Sequence, residues 1–203
     1  MAGDTYKTIE KSSGPSLFKD RKSKFLAYAY PVKNTGEVKK ILEQLKKEHH
    51  SARHWCYAYR IGTEKIEERA NDDGEPSNSA GMPILNQIKS KEITNVLVVV
   101  VRYFGGVKLG VGGLINAYKT AAQMVLEEAE IVEKIRTKNL ILDFGYEDMN
   151  KVMRIIKDHQ LDIARQKLEE KAQYILPVRL DDYEKIKKEF EKIYTLKVTE
   201  EEN

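Results

Sequence analysis

This chain of 203 residues is expected to fold as an α+β protein in two parts, and three observations carry that expectation. Eleven of its twelve glycines lie before Ile131, with only Gly145 after it. A continuous β-branched run, Val96 to Val101, sits inside that glycine-rich part. After Leu140 the apolar periodicity alternates between the strand and helix periods. A composition shift of this kind marks a boundary. It falls at residues 130–136 and divides the chain into 1–133 and 134–203.

In the first part, Phe25–Val32 is an aromatic-rich strand. Glu37–Glu48 carries Val38, Ile41, Leu42 and Leu45 at helical spacing, with Thr35 as the expected cap. Trp55–Ile61 alternates as a strand and ends at Gly62. Glu64–Gly81 is acidic and turn-rich, and Met82–Ile88 is a short helix with Pro83 in its first turn, where proline is tolerated. The Val96–Val101 run predicts a strand covered on both faces. A glycine-rich loop, Gly105–Gly113, leads into a helix over Leu114–Glu128.

The second part reads as strand Leu140–Phe144, helix Tyr146–His159, strand Asp162–Lys167, strand Lys171–Leu180, helix Asp181–Ile193 capped by Asp181 or Asp182, and strand Leu196–Thr199. That βαββαβ order is the ferredoxin-like arrangement, an antiparallel sheet with both helices on one face. The acidic tail Glu200–Glu202 is expected to fray.

Composition excludes several classes. With 41% hydrophobic and 33% charged residues the chain is globular rather than disordered. Its longest apolar run is six residues, against roughly 20 for a bilayer helix, so no membrane span is expected. Lys7, Lys11, Lys19 and Lys24 precede any apolar block of secretory length, and a single cysteine, Cys56, fits a reducing cytoplasmic setting. The net charge of +3 does not announce a nucleic-acid binder. The excess is nonetheless local: 21 basic and 17 acidic residues up to Lys134, then 14 and 15. Lys19 to Lys24 forms a basic cluster that is a solvated stretch or a phosphate-facing patch.

Four segments can carry chemistry. Arg102-Tyr-Phe-Gly-Gly-Val-Lys-Leu-Gly-Val-Gly-Gly-Leu114 feeds a helix N-terminus, where backbone N–H groups and the dipole favour an anion. Gly105, Gly106, Gly110, Gly112 and Gly113 form that candidate loop, with charge from Arg102 and Lys108. The dinucleotide fingerprint fails at Ile115 and the Walker motif at Val111, so a nucleotide enzyme of either type is disfavoured and close packing by glycine is the competing reading. Asp72, Asp73 and Glu75 group three carboxylates that can hold a metal, serve as acid and base, or simply build a turn with Ser77 or Ser79 capping the next helix. His49, His50 and His54 precede Cys56; three histidines can suggest a metal and a cysteine a nucleophile, but His49 and His50 sit at a helix end and the alternating strand of Cys56 predicts a packed thiol. Tyr28, Tyr30, Tyr57 and Tyr59 with Arg60 are core aromatics or a base-stacking face.

Arg53-His-Trp-Cys-Tyr-Ala-Tyr-Arg-Ile-Gly62, Asp72-Asp-Gly-Glu-Pro76 with Ala80-Gly-Met-Pro83, and Val100 to Leu114 with Ala117-Tyr118 resemble the IMPACT family in its bacterial form. Asn78-Ser79 departs from the Gly-Thr of that pattern. The resemblance implies an N-terminal ribosomal-protein-like domain similar to domain IV of elongation factor G, with a left-handed crossover, and a ferredoxin-like C-terminal domain. It further implies a translation link, since eukaryotic relatives compete for an activator of the general-control kinase.

The expectation is therefore a non-enzymatic regulator without cofactor or metal, binding RNA or a ribosome-associated partner through Arg53, His54, Asp72, Asp73, Glu75, Arg102 and Lys108. The rival is a small metal-dependent hydrolase, which requires the acidic turn and the glycine loop to meet in one pocket.

Overall fold

A computed structural model describes residues 4–200. The chain divides into two compact units, residues 6–134 and residues 135–200 together with 4 and 5.

The first unit contains β1 (Thr5–Ile9), β2 (Ser13–Asp20), β3 (Ser23–Pro31), α1 (Thr35–Glu48), β4 (His54–Ile61), β5 (Glu67–Asn71), α2 (Gly81–Ser90), β6 (Val96–Tyr103), α3 (Gly110–Glu128) and β7 (Ile131–Ile135). Its main sheet has the order β2-β3-β6-β4-β5, antiparallel at every pairing, and β1 pairs with β7. The central strand β6 decides the layering. Val96, Val98 and Val100 enter the core formed with α2 and α3, whereas Leu97, Val99 and Val101 enter a second core with Val38 and Leu45 of α1. A continuous β-branched run suits this place because both faces of a central strand must be apolar. Each fully buried side chain of this kind contributes roughly 1.5–3 kcal/mol.

The tyrosines join the α1-side core: Tyr28 and Tyr59 are buried, with Tyr30 and Tyr57 packed against them. Their core reading therefore holds over the base-stacking one. His49 closes α1 and bridges the layer, its Nε2 lying 2.7 Å from the Tyr28 hydroxyl and its Nδ1 2.8 Å from that of Tyr103. The basic cluster Lys19–Lys24 forms the β2–β3 turn, with Arg21 and Lys22 at positive φ.

The second unit runs β8 (Thr137–Phe144), α4 (Met149–Asp158), β9 (Arg165–Leu168), β10 (Ala172–Arg179), α5 (Tyr183–Glu191) and β11 (Lys197–Glu200), with the antiparallel sheet order β11-β8-β10-β9. Alternation supplies its core. Leu140, Leu142 and Phe144 of β8 and Tyr174, Leu176 and Val178 of β10 pack with Val152, Ile156, Ile186 and Phe190 of the helices.

Local details differ from the sequence reading. The α1 cap is Asn34, whose side chain accepts from the Glu37 amide, because Thr35 is already helical. No aspartate side chain caps α5, since Asp181 and Asp182 lie in a short 3-10 turn. Glu200 belongs to β11, and the rest of the expected frayed tail, residues 201–202, lies outside the described residues.

Candidate functional site

Strand order assembles the site at one end of the main sheet. The register places His54 of β4 and Phe25 of β3 opposite Arg102 of β6 on either side. Arg102 is 5% exposed and lies between aromatic rings, 5.5 Å from the centroids of Phe25 and Phe104.

The acidic turn is built from within. The Asn71 side chain accepts from the Asp73 amide at 2.8 Å, and Asp73 and Gly74 follow at positive φ. One carboxylate oxygen of Asp73 accepts from the Trp55 amide at 2.8 Å, tying the turn to β4. Asp72 accepts from Ala80 and Gly81 through one oxygen, at 3.0 and 2.8 Å, and from Asn78 through the other at 2.9 Å. It therefore caps α2 from outside that helix. This corrects the serine assignment: Ser79 is buried and its hydroxyl donates to the Pro76 carbonyl, while Ser77 is exposed. Asn78 has φ of 60°, which glycine adopts freely and asparagine tolerates best among other residues, so its departure from the family pattern keeps the turn.

Glu75 turns the other way. Its buried carboxylate accepts from Arg102 at 2.5 Å and from the Tyr118 hydroxyl of α3 at 2.8 Å. His54 lies beside it: Nδ1 is 2.8 Å from the Asp73 carbonyl, so that nitrogen carries the proton, and Nε2 is 3.9 Å from Glu75. Burial, together with the adjacent Cys56 thiol and Glu75 carboxylate, pushes the Tyr118 phenol far above its ordinary range and keeps it a donor. Burial likewise pushes the Cys56 thiol up, and this thiol donates to the Asp72 carbonyl. A buried thiol bonded to a carbonyl agrees with the packed thiol expected from the alternating strand.

Around this frame lies a pocket of ≈ 480 Å³, lined by Arg53, His54, Glu75, Arg102, Phe104 and Lys108, with Pro76, Leu109, Gly110, Val111 and Leu114 completing the wall. The acidic turn and the glycine loop do converge, through Glu75 and Lys108–Gly110. They do not converge as a metal site, because the carboxylates of Asp72 and Asp73 face backbone N–H groups. Among the described residues no group of three or more His, Cys, Asp or Glu side chains is placed to hold a metal ion.

The five glycines do different work. An added Cβ at Gly105 would lie 2.1 Å from the backbone of Lys22, and one at Gly113 2.9 Å from Leu109. Gly106 and Gly110 have φ of 86° and 75°, whereas Gly112 faces open space at the start of α3. Gly105→Ala is accordingly expected to cost about 1–3 kcal/mol by forcing two backbones apart. Gly112→Ala is expected to be neutral or about 0.5 kcal/mol stabilising. Urea denaturation of the two variants checks the contrast, and equal stabilities would contradict the assignment.

Of the candidates from sequence, Arg53, His54, Glu75, Arg102, Lys108 and Gly110 line the pocket, and Asp72, Asp73, Gly105, Gly106, Gly112 and Gly113 do not. Phe104 and Tyr118 lie inside the motifs that carry the family resemblance, but neither is among the residues expected to bind. The sequence signal for Phe104 is an aromatic set between Arg102 and a glycine pair, and the structure leaves it 40% exposed, whereas Tyr118 falls on the apolar face of α3 and is buried.

Fold and site together define a two-unit α/β protein with a cation-rich, aromatic-walled pocket at the end of an antiparallel sheet. The Impact N-terminal domain model matches residues 21–126. The IMPACT family member YvyE of Bacillus subtilis is 35% identical over 77% of this chain and 71% of its own length, and YigZ of Escherichia coli is 30% identical over 67% and 68%. This chain belongs to the IMPACT family. The crystal structure of a hypothetical protein shares the fold, with a TM-score of 0.71 over 98% of both chains at 21% identity. Among the described residues no helix is long and apolar enough to cross a membrane.

Proposed function

We propose that this protein is a non-enzymatic cytoplasmic regulator linked to translation, and that residues 6–134 bind RNA through the pocket between the acidic turn and the glycine loop. Family membership supports the translation link, through the regulatory role of the eukaryotic relatives. Within this reading the first unit is the counterpart of domain IV of elongation factor G and the second is a ferredoxin-like domain. That likeness is an analogy of fold, and the binding reading rests on the site itself.

One observation carries the RNA reading. Three cationic side chains, Arg53, Arg102 and Lys108, line one pocket whose wall holds a single carboxylate and the aromatic ring of Phe104. Phosphates meet the cations, and an aromatic ring accepts a base. Arg53 already lies over Phe104, 5.9 Å from its centroid, so guanidinium and ring form one surface. The acidic turn holds the frame, with Glu75 orienting Arg102.

Filter binding of single-stranded RNA across a salt series tests this. The affinity is expected to fall linearly in log–log coordinates, and Arg53→Ala or Lys108→Ala each to lower the slope by about 0.7. Absence of binding at about 50 mM salt overturns the RNA reading. Capture of a ribosome-associated protein that survives nuclease would then point to protein recognition instead.

A further inference from the structure

The pocket is layered in depth. Arg102, 5% exposed, is the most buried cation of the lining, its guanidinium held by Glu75. Arg53, Lys108, Gly110 and Val111 are exposed and form the rim. The wall between them belongs to α3, which begins at Gly110 with neither a side-chain cap nor an acidic residue in its first turn.

We infer that this pocket is a receptor for a phosphate monoester, a terminal phosphate entering end-on, a specificity that rests on the RNA-binding reading above. An interior phosphodiester has chain on both sides and one negative charge. It therefore brings less charge to the three cations of the lining and more bulk to the mouth. A monoester carries about −1.5 to −2 charges, three peripheral oxygens and one substituent, so it can descend while the rest of the ligand stays at the mouth. Arg102 lines the pocket from its buried side, Arg53 and Lys108 offer charge from the rim, and the uncapped start of α3 adds its dipole. Glu75 is the one carboxylate in the lining, and it is already bound to Arg102 and Tyr118. The pocket, ≈ 480 Å³, lies within the roughly 300–1,000 Å³ typical of small-ligand sites, and Phe104, Leu109 and Leu114 supply an apolar wall for a nucleoside.

Two sources share this chemistry, a free mononucleotide and an RNA end. Calorimetric titration of the full chain separates them, with adenosine, adenosine 5′-monophosphate, and one single-stranded RNA carrying a 5′-phosphate, a 3′-phosphate or neither. The monophosphate is expected to bind at least about tenfold tighter than adenosine, and one phosphorylated RNA at least about tenfold tighter than the bare strand, as charge-assisted contacts require. Val111→Glu places a carboxylate on the exposed rim in the first turn of α3, where the helix dipole favours it. It is expected to leave the thermal midpoint unchanged and abolish the preference for phosphate. Equal affinity with and without the terminal phosphate, or a preference that survives Val111→Glu, overturns the monoester receptor while leaving RNA binding standing. Preference for the monophosphate with no binding of any RNA supports the receptor and overturns the RNA reading. No binding of any ligand overturns both.

Discussion

Glu75→Ala is expected to destabilise the chain by about 3–5 kcal/mol, the effect of stranding a buried charge. Glu75 and Arg102 side chains are 5% and 6% exposed and meet at 2.5 Å, and Tyr118 donates to the same carboxylate oxygen. Removing the carboxylate leaves a guanidinium in a nearly dry site and a phenol without its acceptor. The pair need not itself be a net stabiliser, because desolvation of two ions offsets much of their attraction. A double-mutant cycle separates these statements. Arg102→Met on the Glu75→Ala background is expected to recover more than half of the loss, measured by urea denaturation. Strict additivity of the two losses would refute coupling, and RNA binding by the double variant is expected to be weakened rather than restored with its stability, since Arg102 no longer lines the pocket.

Asp72→Ala ranks second, at about 2–3 kcal/mol. A normal N-cap contributes about 0.5–2 kcal/mol, and Asp72 accepts from three amides, two of them on the buried residues Ala80 and Gly81. Asp72→Asn keeps one acceptor oxygen and is expected to lose about 1 kcal/mol. Thermal unfolding of both variants, with hydrogen exchange at Ala80 and Gly81, gives the readout. Undiminished protection at those amides in Asp72→Ala would show that another group caps α2.

Much of the architecture could be read from the chain because it follows from local periodicity. The β6 run, the α1 stripe of Val38 and Leu45, and the alternation in β8 and β10 each carry their burial in their spacing. Strands whose local signals are charged or turn-like are not legible in the sequence. β5, Glu-Glu-Arg-Ala-Asn, is an edge strand with no buried residue, and β2 starts Ser-Gly-Pro, a turn signature on local chemistry. Capping failed for a related reason: Ser79 and Thr35 satisfy the local rule, but a better acceptor reached the same amides from Asp72, and from Asn34 one residue earlier.

The sequence alone determined the glycine-rich first part, the family motifs and the absence of a long apolar run, because composition and spacing are properties of the chain. It also named Arg102, Glu75 and Lys108 as candidates. The tertiary structure decided which carboxylate serves what. Pairing of β4 with β6 sets His54 against Arg102, and α3 delivers Tyr118 to Glu75 across 43 residues. Three neighbouring acids of one charge thus take different partners, Asp72 and Asp73 holding backbone amides and Glu75 holding a buried arginine. That division depends on the N–H group or cation each oxygen reaches once the sheet is assembled, a distance that residue order does not contain.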